Sequence, residues 1–173
     1  MLTRLPRFPL LILSLVLLIA SVPDPARADG GGGSGRAGTP AKPEDAQYTA
    51  AVKAIKAGEY AKAIPLLEGV ISRDGQNADA FNWLGYATRK TGNPAGSLPF
   101  YEKALAIDPK HRGAHEYIGE AYLMLDNLAK AKEHLRTLDS LCFFGCAEYR
   151  DLKKAVELYE KSGGKSKPSA SSQ

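Results

Sequence analysis

The sequence predicts an all-α protein, an α-solenoid of three 34-residue helix-turn-helix repeats closed by a C-terminal capping helix. Three observations predict it. Sliding the chain against itself by 34 residues brings Ala61, Ala95 and Ala129 into register, along with Gly58 and Gly92, Ala51 with Gly85 and Gly119, Leu67 with Tyr101 and Leu135, and Ala63 with Ser97 and Ala131. A fixed period of this length marks a stacked array. Within each period two stretches of helical spacing are broken by a short turn, and no stretch alternates apolar and polar residues as a strand would.

The elements follow in order. Residues 1–28 have the form of a signal peptide: arginines in MLTRLPRF, the apolar run PLLILSLVLLIASV, and small residues at Ala26 and Ala28 where a signal peptidase reads the chain. Cleavage is expected after Ala28, which places the protein in the periplasm, with secretion as the alternative. A retained membrane anchor is disfavoured, because the run is shorter than the roughly 20 apolar residues of a bilayer crossing and stops at Pro23 and Pro25. No membrane span remains after cleavage. Residues 29–43, DGGGGSGRAGTPAKP, lack apolar periodicity and read as a flexible leader.

The repeats span 44–77, 78–111 and 112–145. In the second, ADAFNWLGYATRK is followed by TGNP and then AGSLPFYEKALAID; Gly92 ends one helix and Pro94 opens the next. Small residues stand where helices must approach closely (Ala51, Gly85 and Gly119 on the first helices, Ala63, Ser97 and Ala131 on the second), and Leu84, Ile118, Leu67, Tyr101 and Leu135 fill the layers between. Pro65 and Pro99, one repeat apart, fall early in the second helices, where either a kink or an irregular first turn is expected. Residues 146–161 supply the cap that a repeat stack requires. There Tyr149, Leu152, Val156 and Tyr159 share one helical face, and residues of both charge signs occupy the rest, unlike a membrane-surface helix. Residues 162–173 are too polar to pack and read as a disordered tail.

These features resemble a tetratricopeptide repeat protein of exported bacterial type. The second unit carries the resemblance in Phe81, Leu84, Gly85, Tyr101, Ala104 and Pro109, and the third in Ile118, Gly119, Tyr122 and Ala131; the first is more degenerate, with Ala50, Ala51 and Ala54. The resemblance implies that the first helices line a concave groove, with three rows facing it: Tyr48, Asn82 and Glu116; Val52, Tyr86 and Glu120; Ile55, Arg89 and Leu123. With these side chains exposed in the free protein, such a groove suits an extended or helical peptide. Merely solvated helix faces are the plainer reading, but exposed Tyr and Arg are types enriched at binding hot spots. Some relatives grip a C-terminal carboxylate with Lys, Asn and Arg. Here Tyr48, Val52 and Trp83 stand at three of those places, so that activity is not carried over.

The two cysteines, Cys142 and Cys146, bracket the turn between the third repeat and the cap, at the places of Asp74 and Asp108, and of Ala78 and Arg112. In an exported protein the favoured reading is a structural disulfide. The alternatives are a metal-binding thiolate site and a free or regulatory thiol pair. Three residues separate the cysteines and Ala147 follows the second, which fits neither a thioredoxin-type motif nor covalent haem attachment. His111 and His115 are four apart, yet His115 occupies the layer position of Phe81 and reads as packed.

The formal charge of +4 loses three cations and one anion with the signal, leaving +2, and no mature stretch clusters Lys and Arg with stacking aromatics, which argues against a nucleic-acid partner. There is no phosphate loop, nucleophile elbow or other catalytic motif, and the glycines at 30–33 precede no helix directly. Glu116 and Glu120 form an i, i+4 pair that reads as a solvated groove face. The expectation is therefore a non-enzymatic protein–protein adaptor of the cell envelope, without cofactor or metal, holding a protein or peptide partner. The alternative is a thiol-based metal or redox accessory centred on Cys142 and Cys146.

Overall fold

The computed structural model describes residues 45–164, and the expected signal peptide, the expected leader and most of the expected tail lie outside them. Seven helices and no strand make up the described residues: α1 (Ala46–Lys56), α2 (Tyr60–Arg73), α3 (Ala78–Lys90), α4 (Pro94–Ile107), α5 (Arg112–Met124), α6 (Leu128–Leu141) and α7 (Ala147–Lys161). Among them, no helix is long and apolar enough to cross a membrane.

Local chemistry sets most of the boundaries. Side-chain acceptors satisfy otherwise orphaned N–H groups at six of the helix starts: the Asp45 carboxylate accepts from Gln47 and Tyr48, Asn77 from Ala80, Asn93 from Gly96, His111 from Ala114, Asn127 from Lys130, and the Cys146 sulfur from Tyr149. Where each first helix turns into its second, the backbone must adopt a left-handed residue. Gly58 (φ 74°) and Gly92 (φ 93°) supply it at equivalent places, and Asp126 (φ 56°) does so in the third repeat. Behind each, an amide reaches back to close the helix end, with Glu59 donating to Ala54, Asn93 to Thr88 and Asn127 to Tyr122.

The helices stack in sequence, each packed on the next and each first helix on the first helix of the following unit, with α7 laid on α5 and α6. Ala51, Gly85 and Gly119 are buried at the close approaches, as are Ala63, Ser97 and Ala131. Tyr101, Leu67, Leu84 and Ile118 fill the layers completely buried, and Leu135 only partly. On α7, Leu152, Val156 and Tyr159 are buried and Tyr149 packs against them, while Lys153, Lys154, Glu157 and Glu160 stay exposed. The two prolines lie inside their helices: α2 and α4 run unbroken through Pro65 and Pro99. Both prolines sit on exposed positions, so the carbonyl each leaves without an intrahelical partner is on the solvent side, where water can satisfy it.

Cys142 caps the end of α6, Cys146 caps the start of α7, and the two are joined as a disulfide with their Cα atoms 5.4 Å apart. The loop they close carries Phe143 and Phe144, 90% and 95% exposed, with their rings edge to face. A loop this short removes little chain entropy, so replacing both cysteines by serine is expected to lower stability by about 2 kcal/mol at most. The measurement is the urea midpoint of the oxidised protein against the double variant.

Candidate functional site

The first helices α3 and α5 and the cap α7 share a face, and on it the chain forms an open cavity of about 420 Å³. Its lining comes from short, regularly spaced contributions: Asp79, Asn82 and Trp83 from α3, His111 and then Glu116 and Tyr117 from the start of α5, and Glu148 and Asp151 from α7. Asn82, Glu116 and Asp151 form one row across three successive units, and Trp83 and Tyr117 form the row beside it.

Four carboxylates converge there. Asp79 is held by His111, whose Nδ1 accepts the Ala114 amide, so Nε2 carries the proton and donates to Asp79 at 3.1 Å. That bond keeps the Asp79 carboxyl below its ordinary range. Glu148 lies 3.7 Å from the guanidinium of Arg112. Glu116 and Asp151 have no hydrogen-bond or ion-pair partner among the described residues. Burial, then the negative charges of Glu120, Asp151 and Glu148, push the Glu116 carboxyl up to about 8. Asn82 is 4% exposed, and its side-chain oxygen is buried with no hydrogen-bond partner.

Aromatic rings run along the same face: Trp83 meets Tyr86 edge-on at 5.6 Å, Tyr86 lies 4.8 Å from Tyr117, and Tyr60 lies 5.9 Å from Tyr86. The Arg89 guanidinium sits over Tyr86 and Tyr117 at 5.4 and 5.7 Å, pairs with Glu120 at 2.7 Å and approaches the Tyr101 hydroxyl at 3.4 Å.

The predicted rows divide. Tyr48, Val52, Tyr86, Glu116 and Glu120 are half-buried along the first helices, and Asn82 lines the cavity from a buried position. The third row is packed inside: Ile55 is 6%, Arg89 3% and Leu123 5% exposed. Each lies four residues after the buried small residue of its helix (Ala51, Gly85, Gly119), about 40° round the axis from it, whereas Val52, Tyr86 and Glu120 lie about 100° away. Arg89 is therefore an internal ion-pair residue and does not face solvent.

Of the histidines read from the sequence, His115 is buried, with its Nε2 on the Pro109 carbonyl and its Nδ1 2.9 Å from Nδ1 of His134. With both sulfurs bonded to each other, Cys142 and Cys146 offer no thiolate. Among the described residues, no group of three His, Cys, Asp or Glu side chains is placed to hold a metal ion.

Two tetratricopeptide repeat profiles match the chain, over residues 48–112 and 89–156. "Tetratricopeptide repeat protein 1" of Schizosaccharomyces pombe is 30% identical over 105 residues, covering 54% of this chain; the match spans only 10% of that relative's length. Among solved structures, PcrH in complex with the chaperone binding region of PopD superposes with a TM-score of 0.61 at 18% identity, covering 68% of this chain and 90% of that one. The first TPR of Spaghetti (RPAP3) bound to the HSP90 peptide SRMEEVD gives 0.59 at 19% identity, covering 66% and 90%.

Proposed function

Because the two profiles together run from 48 to 156, well over half of the chain, the chain belongs to the tetratricopeptide repeat family, and from that premise we propose that it is an exported, non-enzymatic adaptor of the cell envelope that holds a protein or peptide partner along its first helices. The observation that carries the reading is the cavity between α3, α5 and α7, where Trp83 and Tyr117 lie beside acceptors without partners. That is a surface of binding type, with aromatic anchors and a few convergent polar groups. Two neighbours of the same fold are described in complex with peptide segments, PcrH with a region of PopD and Spaghetti with SRMEEVD. Export is supported by the signal-peptide form of residues 1–28 and by the Cys142–Cys146 bridge, which suits an oxidising compartment.

A photo-crosslinking amino acid placed at Tyr48 tests the reading. A single partner is expected to be trapped there in the envelope fraction, on a protein whose first residue is Asp29, and not from the same probe at the exposed Glu68 of α2. Equal trapping at both sites, or at neither, would overturn it.

A further inference from the structure

We propose that the cavity between α3, α5 and α7 is a subsite for a cationic side chain, a lysine or arginine of the partner peptide. The inference rests on the adaptor reading and adds the chemistry of what is held. The carboxylates and the Asn82 oxygen on this face are acceptors that a donor would complement. Glu116 and Asp151 lack partners among the described residues, and the Asn82 oxygen is buried and accepts nothing. An acceptor left unsatisfied in the interior is costly, and a donor that reached it would remove that cost. Trp83 and Tyr117 line the cavity beside these acceptors, and aromatic rings attract an ammonium or a guanidinium.

Other ligand chemistries fit worse. A carboxylate or phosphate would meet the negative charges of Asp79, Glu148 and Asp151 together and be repelled. The described residues do not gather three ligating side chains for a metal ion. A volume of about 420 Å³ exceeds what a bare ammonium fills and accommodates a long side chain with part of its backbone. The acidic peptide SRMEEVD, which the Spaghetti structure holds, has the charge this face would reject.

Protonation supports the same conclusion. The groups facing Glu116 are Glu120 on its own helix, Asp151 and Glu148 on α7, and Arg89 on α3; Asp79 and His111 line the same cavity. With its carboxyl pushed up to about 8, Glu116 is largely protonated at neutral pH in the empty protein. A bound cation stabilises the ionised form, so binding should release a proton and tighten as the pH rises from about 6 to about 9.

The test is a titration of the full chain, as isolated, followed by the emission of Trp83, the only tryptophan in the sequence. The probes are capped peptides identical except for one central residue (lysine, arginine, norleucine or glutamate), with butylammonium and calcium as small cations. Lysine and arginine peptides are expected to bind at least about tenfold more tightly than the norleucine peptide, and the glutamate peptide more weakly still. At about pH 9, Asp151→Asn, at an exposed position, and Glu116→Gln should each cost about tenfold in lysine-peptide affinity and clearly less in norleucine-peptide affinity. If the norleucine and lysine peptides bind equally, or neither substitution matters, the cationic subsite is wrong while the peptide-binding groove stands. If no peptide binds, the adaptor reading fails with it. Butylammonium matching the lysine peptide would make the ligand a small amine, and a response to calcium alone would make it a metal; either result overturns the proposal.

Discussion

Gly85→Leu is expected to destabilise the array by about 3 kcal/mol or more, lowering the melting temperature by roughly 10 °C or more. Even a single Cβ at Gly85 would fall 2.7 Å from Cε1 of Tyr101, and Tyr101 is fully buried. The obstacle is the flank of a packed ring with no space behind it, so the helices must separate. Gly119 is equivalent one repeat later, where a Cβ would fall 2.6 Å from Cδ2 of the buried Leu152 on the cap. Helix propensity alone would make either position more stable with alanine, by about 1 kcal/mol. A loss of stability in Gly85→Ala would therefore show that close packing outweighs propensity. Gly75→Ala is the control, since its Cβ would meet only a carbonyl at 3.8 Å. Thermal melts followed by helical circular dichroism give the comparison, and an unchanged melt for Gly85→Leu would contradict the packing described for α3 and α4.

Arg89→Ala is expected to cost about 3 kcal/mol, read from the urea midpoint, because it strands Glu120 without its partner in a partly buried place. The Arg89 side chain is 3% exposed and that of Glu120 23%, and the guanidinium also spans to the Tyr101 hydroxyl, tying α3 to α4 and α5. Its packing beneath the rings of Tyr86 and Tyr117 is lost as well. Removing both charges should be gentler than removing one: Arg89→Met combined with Glu120→Leu leaves no uncompensated ion and is expected to recover most of the loss. Lys62→Ala, which breaks an ion pair on an exposed face, should leave the midpoint essentially unchanged. If Arg89→Ala behaves like Lys62→Ala, the internal ion pair contributes nothing to stability.

What could be read in the sequence follows from where packing constrains residue type. Small residues at Ala51, Gly85 and Gly119 recur because helices touch there, so both the repeat and its register were visible. The cap was visible because its apolar face has helical spacing, and the cysteine bracket because both cysteines fall on helix ends. Arg89 was misread because its type suggests exposure, although its angular distance of about 40° from Gly85 places it inside. Asp151 and Glu148 escaped because α7 begins one residue late: its cap, Cys146, follows His111 by 35 residues, so strict repeat spacing points to Arg150 instead. Trp83 and Tyr117 are spaced by one repeat and could have been found as a row; their partnership with the acidic groups depends on α7 folding over them, which no local pattern encodes.

Each helix meets only its neighbours one or two places along the chain, which bears on how the protein acquires its structure. The mean sequence separation of touching residues is small, the condition under which loop closure costs least and folding is quick, on a scale of about microseconds to milliseconds. Nucleation needs no contact between distant parts of the chain, and any repeat with its neighbour can serve as the starting point. The same locality makes the chain length a free variable: inserting one more 34-residue unit would add an interface of the existing kind while leaving the contacts inside the other repeats as they were.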